Sequence, residues 1–243
     1  MVPQSIADCI QNFKTTGTVF GDGQRNIIKL FTVDGAVINI KSFKIPNLIN
    51  KIAYKYFRKS KARRSFEYAT NLLEKGIGTP QPIAFFENYS WLGLKESYYA
   101  SEHLQTELTF RELVEIPDYP DHSTILRQFT RFSFNLHEKG IEFLDHSPGN
   151  TLIKKVSEKQ YEFFLVDLNR MNFHAQMDVK MRMKNLSRLT PKKEMIEIMS
   201  DEYAKLYNKS FKEVFDTMWY YTCEFQEKYH RKRRLKAKYF FWK

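Results

Sequence analysis

The chain has 243 residues, of which 42% are hydrophobic, so it can bury a core and general disorder is excluded. Its two cysteines, Cys9 and Cys223, exclude a disulfide framework and have no metal-ligand spacing, which suits a reducing compartment. The N-terminal residues lack the charged and apolar regions of a signal peptide, and no apolar run approaches the ~18 residues of a membrane span. We therefore expect neither of these segments.

The net charge of +11 is concentrated in two stretches. Residues 51–64 contain seven Lys or Arg side chains, residues 228–243 contain eight, and neither stretch contains an acidic residue. The rest of the chain has 24 basic and 28 acidic side chains, so it is mildly acidic. Basic stretches of this kind bind phosphates on nucleic acids, lipids or phosphorylated substrates.

Three strands are predicted between residues 14 and 43, with turns at residues 21–26 and at Asp34-Gly35. An Asp-Gly pair between two β-rich runs is a strong hairpin signal. The first turn contains Gly21 and Gly23, which would let backbone N–H groups approach a phosphate. An ordinary hairpin turn explains these two glycines equally well.

The third strand ends at Lys41, a position from which an ammonium group could reach nucleotide phosphates, although Lys44 is a nearby competitor. Two helices are predicted next, over residues 47–58 and 60–75. The second has an apolar face and ends at Gly76, and Glu67 lies beside that face. In protein kinases a helix Glu pairs with the strand Lys and directs it at the phosphates, whereas most helix Glu side chains are simply solvated.

Two further strands are predicted over residues 83–89 and 91–103. The last two residues of the second strand, Glu102 and His103, fall where a hinge would present backbone groups to adenine. Beyond them the signals become mainly helical, so we place a lobe boundary near Glu102. The predicted helices cover residues 123–139 and 176–190, with two more after residue 192.

The most informative stretch lies between these helices. Asp145 and Asn150 are five residues apart with a Pro-Gly turn between them, and Asp167 ends an apolar run that follows. Protein kinases place a catalytic Asp and a metal-binding Asn at this spacing, with a second metal-binding Asp after a strand. The simpler alternative is a helix end, a tight turn and a surface Asp, with Asn150 bonding backbone groups.

Taken in order, these pieces resemble the lipopolysaccharide kinases that phosphorylate Kdo or heptose in the inner core of Gram-negative lipopolysaccharide. The resemblance covers roughly residues 15–190, and its matching segments are INIKSF around Lys41, SKARRSFEYATNLLEKGIGTP around Glu67, LDHSPGNTLI around Asp145, and VDLNRMNF followed by KNLSRL.

The resemblance implies an α+β, two-lobed protein-kinase-like fold, with an antiparallel sheet and a helix in the N-terminal lobe and a mainly helical C-terminal lobe. The expected divisions are an N-lobe over 1–102, a C-lobe over 103–227 and a basic-aromatic tail over 228–243.

The resemblance also implies a role for each site residue, with ATP and Mg²⁺ as cofactors. Lys41 would contact phosphate and Glu67 would hold Lys41. Asp145 would be the catalytic base, while Asn150 and Asp167 would hold Mg²⁺.

Three departures from the protein-kinase pattern are visible. Phe143 replaces the usual His two residues before the catalytic Asp, and Asp167-Leu168-Asn169 replaces the Asp-Phe-Gly motif. No Ala-Pro-Glu follows, which argues against a peptide substrate and favours a small acceptor with a hydroxyl group.

The expected acceptor is Kdo-lipid A or a related intermediate, phosphorylated on Kdo rather than on heptose, and no nucleic acid partner is expected. A cytoplasmic protein on the inner face of the inner membrane is expected, bound to anionic lipid through residues 228–243 with help from residues 51–64. The alternatives are a kinase for another small acceptor, such as a choline- or aminoglycoside-like cation, and a non-enzymatic pseudokinase or basic binding module.

Overall fold

The computed structural model describes residues 4–21, 26–45 and 47–239. The chain forms two compact units, which we call the first and the second unit. The first unit contains Met1–Gln105 together with Phe164–Arg170, and the second contains Thr106–Phe163 together with Met171–Lys243. The sequence contains no signal for the return of residues 164–170 to the first unit.

The first unit is built on a five-stranded antiparallel sheet with the strand order β1-β2-β3-β5-β4. Its strands are β1 (Thr18–Phe20), β2 (Ile27–Val33), β3 (Ala36–Ser42), β4 (Pro82–Ser90) and β5 (Gly93–Glu102). Asp34 and Gly35 both have positive φ angles, 51° and 80°, as a two-residue hairpin turn of this hand requires. The predicted hairpin between β2 and β3 is therefore confirmed.

Three helices accompany this sheet, namely α1 (Gln4–Gln11), α2 (Leu48–Tyr56) and α3 (Lys61–Glu74). The hydroxyl of Ser60 caps α3 by accepting a bond from the N–H of Arg63 at 3.0 Å. Helix α1, which the sequence analysis did not predict, buries Ile6 and Ile10 against the apolar face of the sheet. The core of the first unit therefore lies between α1 and the sheet.

The second unit is mainly helical, as predicted. Its helices are α4 (Phe110–Glu115), α5 (His122–Glu138), α6 (Val179–Leu186), α7 (Lys193–Tyr207) and α8 (Phe211–Tyr239). Its strands are β6 (Leu108–Thr109), β7 (Ile141–Phe143), β8 (Thr151–Ser157), β9 (Gln160–Leu165) and β10 (Met171–Phe173). Strand β9 runs from the second unit into the segment that joins the first. A single apolar cluster includes residues of α5, α6, α7 and α8 and of strands β8 and β9.

Gly140 ends α5 and begins the turn into β7. It has a φ angle of 69°, and a Cβ atom at this position would overlap the carbonyl oxygen of His174. The N–H of His174 donates to the carbonyl of Gly140 at 2.7 Å, which extends the pairing of β7 with β10. Only glycine combines this backbone conformation with so close an approach.

Helix α8 contains 29 residues and continues as far as Tyr239. Residues 228–239, the described part of the predicted tail, are thus the last three turns of this helix, and their side chains through residue 238 are exposed. The terminal aromatic residues 240–243 lie outside the described part of the chain. No helix in the described ranges is long and apolar enough to span a bilayer.

Candidate active site

Lys41 and Asp167, which are 126 positions apart in the sequence, are direct partners in the first unit. The Nζ atom of Lys41 donates to Oδ1 of Asp167 at 2.7 Å, and the same oxygen accepts a bond from the Asn169 amide at 2.8 Å. The side chain of Lys41 is only 14% exposed, and its ammonium group also lies 5.4 Å from the centre of the Phe43 ring. Lys41 is thus held at the end of β3 by a carboxylate and an aromatic face.

Asp167 itself has a φ angle of 59°, in the left-handed region that residues other than glycine rarely adopt. Residues forced into this region are concentrated at ligand and active sites. The bonds from Lys41 and Asn169 both involve Oδ1, so Oδ2 is the oxygen left for a further ligand. The segment around it is fixed because the hydroxyl of Thr79 donates to the carbonyl of Leu165 at 2.8 Å.

Glu67 contacts different residues from those predicted. Its carboxylate accepts bonds from Lys59 at 2.8 and 2.9 Å and from Arg63 at 3.0 Å, and no ion pair with Lys41 is formed among the described residues. Burial alone would raise the pKa of Glu67, but the hydrogen bonds from the two cations outweigh it and hold the pKa below its usual value. Lys59 and Arg63 therefore occupy the carboxylate that was expected to hold Lys41.

Lys61, at the start of α3, was missed by the sequence analysis. Burial lowers the pKa of its ammonium group, and the negative charge of Asp167 opposes that shift. Lys61 also lines a cavity of about 330 Å³ in the first unit, together with Lys44, Tyr54 and apolar side chains from β5 and from the segment after β3. A half-buried Lys this near to Asp167 adds a second cation to the site.

The remaining nucleotide-binding candidates of the first unit are backbone positions. Gly21 is exposed, with a φ angle of 81° and open space around it, and Gly23 lies outside the described residues. The N–H of Glu102 donates to the carbonyl of Gln81 and the N–H of His103 to that of Val37, both at 2.9 Å. Because the N–H of Glu102 is already bonded, an adenine ring at this position would have to contact the carbonyl oxygen of Glu102.

The loop with Asp145 and Asn150 belongs to the second unit. Its backbone is held from α6 and the turn after it, because Asn185 donates to the carbonyl of Phe143 and Arg188 to that of Leu144. Arg188 also lies 3.3 Å from Oδ1 of Asp145, whose side chain is 21% exposed. These contacts fix the carboxylate of the proposed base at the surface of the unit.

Asn150 closes the loop from its other end. It ends a short 3₁₀ turn, Pro148–Asn150, and its side-chain Nδ2 donates to the carbonyl of Asp145 at 2.8 Å. Because the side-chain nitrogen of Asn150 is bonded inside the loop, its side-chain oxygen is the atom that could coordinate a metal ion. Next to it, the guanidinium of Arg111 lies so close to Gly149 that a Cβ atom there would be 2.7 Å from its Nη2.

Two histidines lie buried beneath this loop. His137 bonds to the hydroxyl of Tyr203 at 2.8 Å and to Asn185 at 3.1 Å, while neither ring nitrogen of His146 has a partner among the described residues. Burial lowers the pKa of His137 to about 3 and that of His146 to about 4. Both rings are therefore neutral at physiological pH and serve to pack the loop.

The comparisons with known proteins agree with this architecture. The model of the lipopolysaccharide kinase (Kdo/WaaP) family matches residues 13–209. No curated protein sequence matches the chain significantly. The solved structure of WaaP in complex with acyl carrier protein is similar with a TM-score of 0.63 at 15% identity, over 92% of each chain. The predicted kinase-like fold class is thereby confirmed.

Proposed function

Because the chain belongs to the lipopolysaccharide kinase (Kdo/WaaP) family, and is therefore a phosphotransferase, we propose that it transfers a phosphoryl group from ATP to a sugar hydroxyl of the lipopolysaccharide inner core. We propose Kdo as the acceptor sugar, with heptose as the alternative. The observation that carries this proposal is the arrangement of Lys41 with Asp167 in one unit and of Asp145 with Asn150 in one loop of the other.

In the proposed mechanism, Asp145 accepts the proton of the acceptor hydroxyl and orients its oxygen for attack. Arg188 positions that carboxylate through its contacts with Leu144 and Asp145. Lys41 contacts the phosphates, and Lys61 adds positive charge near Asp167. These cations would stabilise the negative charge that develops during transfer of the phosphoryl group.

The proposed Mg²⁺ ligands are the amide oxygen of Asn150 and the carboxylate of Asp167. Both are hard oxygen donors of the kind that Mg²⁺ prefers, and Mg²⁺ in such sites takes one or two carboxylates with the rest from phosphates and water. When bound, Mg²⁺ neutralises charge on the phosphates.

For the nucleotide, we propose that the turn with Gly21 and Gly23 approaches the phosphates and that the backbone at Glu102 contacts adenine. To hold Lys41 as predicted, Glu67 would have to release Lys59 and Arg63 and bond Lys41 when ATP binds. The structure supports Asp167 rather than Glu67 as the residue that holds Lys41.

The charge of the first unit supports an anionic acceptor. Residues 51–64 are basic, whereas an acceptor such as choline or an aminoglycoside is a cation and would require an acidic site. Kdo is an acidic sugar, and lipid A contains phosphates. Both would be attracted to a basic surface.

The deciding experiment supplies labelled ATP and Mg²⁺ with a panel of acceptors, namely Kdo-lipid A, heptose-containing core, choline and an aminoglycoside. We expect label on Kdo-lipid A, and no transfer by an Asp145→Ala variant that retains its fold. Transfer to a cation alone would overturn the proposed acceptor class. Absence of transfer to every acceptor, with ATP unbound, would overturn the kinase proposal itself.

We further propose that the protein works on the inner face of the inner membrane, with the basic end of α8 and residues 240–243 bound to anionic lipid. Each Lys or Arg near such a surface contributes on the order of 1 kcal/mol, and eight lie within residues 228–243. Deleting residues 228–243 should weaken binding to anionic vesicles and leave turnover on a soluble acceptor unchanged. If the truncated chain sediments with vesicles as fully as the unchanged chain, this role is refuted. Binding of acyl carrier protein should be measured alongside, because the similar WaaP structure contains that protein.

A further inference from the structure

Two aromatic side chains in the first unit are unusually exposed. Phe57 is 86% exposed and Trp91 is 84% exposed, the highest values for any large hydrophobic residue in the described part of the chain. Exposure of large aromatic rings is unfavourable in water, at about 25 cal/mol for each Å² of apolar surface. Large exposed aromatic side chains of this kind mark a surface that is covered in function.

A hydrogen bond joins the two segments that carry these side chains. Phe57 follows the last turn of α2, and Trp91 lies in the tight turn between β4 and β5. The Nζ atom of Lys55, two residues before Phe57, donates to the carbonyl of Trp91 at 3.2 Å. The ring of Tyr56, 65% exposed, lies 6.3 Å from that of Phe57, and Leu92 beside Trp91 is 39% exposed. We call the surface formed by Tyr56, Phe57, Trp91 and Leu92 the aromatic patch.

The segment that carries Tyr56 and Phe57 is strongly basic. Of the seven basic residues in 51–64, Lys59 and Arg63 are paired with Glu67. The other five form no ion pair with a carboxylate among the described residues. Of these, Lys61 belongs to the candidate active site and Arg64 is half-buried, which leaves Lys51, Lys55 and Arg58 in or beside α2. Lys51 and Lys55 are four residues apart and so share one face of α2.

We propose that the aromatic patch inserts into the interface of an anionic lipid bilayer, with Phe57 and Trp91 at the boundary between headgroups and acyl chains and with Lys51, Lys55 and Arg58 on the lipid phosphates. Aromatic residues concentrate at this depth of a membrane, and binding there increases with buried apolar area and with basic charge. The inference rests in part on the proposed function, since a lipid-linked acceptor must be reached at a membrane surface. It assigns a membrane contact to the first unit, separate from α8.

A bilayer fits the aromatic patch better than a protein partner. A protein interface needs an apolar centre into which partner side chains pack. Phe57 and Trp91 lie at a helix end and a hairpin tip, and neither lines the cavity found in the first unit. At such tips, the rings can enter the apolar edge of a bilayer while basic side chains beside them stay at the level of the lipid phosphates.

Sedimentation with vesicles of phosphatidylglycerol and phosphatidylcholine tests the proposal on the full chain. The double variant Phe57→Ala/Trp91→Ala should partition about tenfold or more weakly into these vesicles. Tyr220→Ala is the matched control, since Tyr220 is 62% exposed on α8, and it should bind as the unchanged chain does. Equal binding by the double variant and the control would overturn the proposal.

Tryptophan emission gives a second measurement that does not depend on a loss of binding. The chain has three tryptophans, so Trp219→Phe/Trp242→Phe leaves Trp91 as the single emitter. Its emission should shift to shorter wavelength on anionic vesicles and be quenched by bromine-labelled acyl chains. An unchanged spectrum on pelleted vesicles, or a shift with acyl carrier protein but not with vesicles, would each refute insertion into lipid.

The same variants separate this inference from the proposed function. Phe57→Ala/Trp91→Ala should retain the turnover of the unchanged chain on a water-soluble acceptor and lose it on acceptor embedded in vesicles. If the unchanged chain inserts Trp91 but transfers no phosphate to any acceptor, the proposed function fails and the membrane contact stands. If it transfers phosphate while Trp91 remains in water, the reverse holds.

Discussion

The ammonium group of Lys41 donates to the carboxylate of Asp167 at 2.7 Å. Each group neutralises the charge of the other, and the bond holds both at one place in the first unit. The proposed roles of the two residues differ, since Lys41 would contact phosphate and Asp167 would hold Mg²⁺. The pair therefore keeps both groups close to where the nucleotide would need them, at the end of β3.

Lys41→Met tests the assignment of the phosphate-contacting lysine. It removes the cation and keeps most of the apolar stem, so we expect kcat/KM for phosphoryl transfer to fall by about a hundredfold or more. Lys44→Met is the matched control, since Lys44 is exposed and lines the neighbouring cavity. A larger loss in Lys44→Met than in Lys41→Met would reverse the assignment.

Glu67→Gln tests whether the partner of Lys41 changes during the reaction. In the structure Glu67 bonds Lys59 and Arg63, so we expect the variant to lose less than about tenfold in turnover. Asp167→Asn should lose far more, since it removes the charge that both Lys41 and the proposed metal require. Comparable losses in the two variants would mean that Glu67 replaces Asp167 beside Lys41 once ATP is bound.

Arg188→Met tests the proposed positioning of the catalytic base. Arg188 bonds the carbonyl of Leu144 at 2.7 Å and approaches Asp145 at 3.3 Å. Asp145→Ala should abolish base catalysis, a loss of about 10²–10⁴ in kcat. Arg188→Met should lower kcat by a smaller factor with little change in the KM for ATP, and Arg188→Lys should restore part of it. A normal kcat in Arg188→Met would show that the loop positions Asp145 without this residue.

The buried ring of His146 predicts how stability depends on pH. Burial, together with the charge of Arg188, lowers the pKa of His146 to about 4, below its value of about 6.5 in an unfolded chain. Between these values the unfolded state binds more protons, so stability is full above pH ~6.5 and about 3 kcal/mol of it is lost as pH falls to ~4. His137, buried nearby, adds a similar dependence.

His146→Phe should flatten this dependence, because a Phe ring cannot be protonated and can pack in the same place against Phe129 and Phe143. Urea unfolding across this pH range measures the change. The slope should decrease relative to the unchanged chain but should not vanish, since His137 remains. An unchanged slope would show that His146 does not titrate as its burial implies.

Gly140→Ala should be strongly destabilising, because a Cβ atom would overlap the backbone of His174 and the φ angle of 69° is unfavourable for alanine. We expect a loss of more than about 3 kcal/mol in the free energy of unfolding. Gly35→Ala is the matched control, since it has a φ angle of 80° but open space around it, and should lose only about 1–2 kcal/mol. Equal losses, measured by urea unfolding, would show that β10 moves to accommodate the methyl group.

The elements predicted from the sequence depend on local signals. The β2–β3 hairpin follows from two turn residues that tolerate positive φ, and the predicted helix over residues 60–75 corresponds to α3 with Ser60 as its cap. The kinase order of the motifs was sufficient to predict the family and the fold class. Each of these inferences needs only residues that are neighbours in sequence or a motif with fixed spacing.

The contacts that could not be predicted depend on tertiary structure. Lys41 pairs with Asp167, 126 positions away, while Glu67 is occupied by Arg63, one helical turn before it, and by Lys59, eight residues before it. Arg188 reaches the loop only because α6 is folded against β7. Neither relationship leaves a spacing that could be recognised in the chain.

The return of residues 164–170 to the first unit has a consequence for how this protein could be divided. A gene fragment ending at Gln105 would encode every strand of the five-stranded sheet, yet its product would lack the carboxylate bonded to Lys41 and the carbonyl bonded to the hydroxyl of Thr79. A fragment beginning at Thr106 would encode both groups, but neither Lys41 nor Thr79. The two units can be distinguished in the fold, but a single cut in the gene cannot separate them intact.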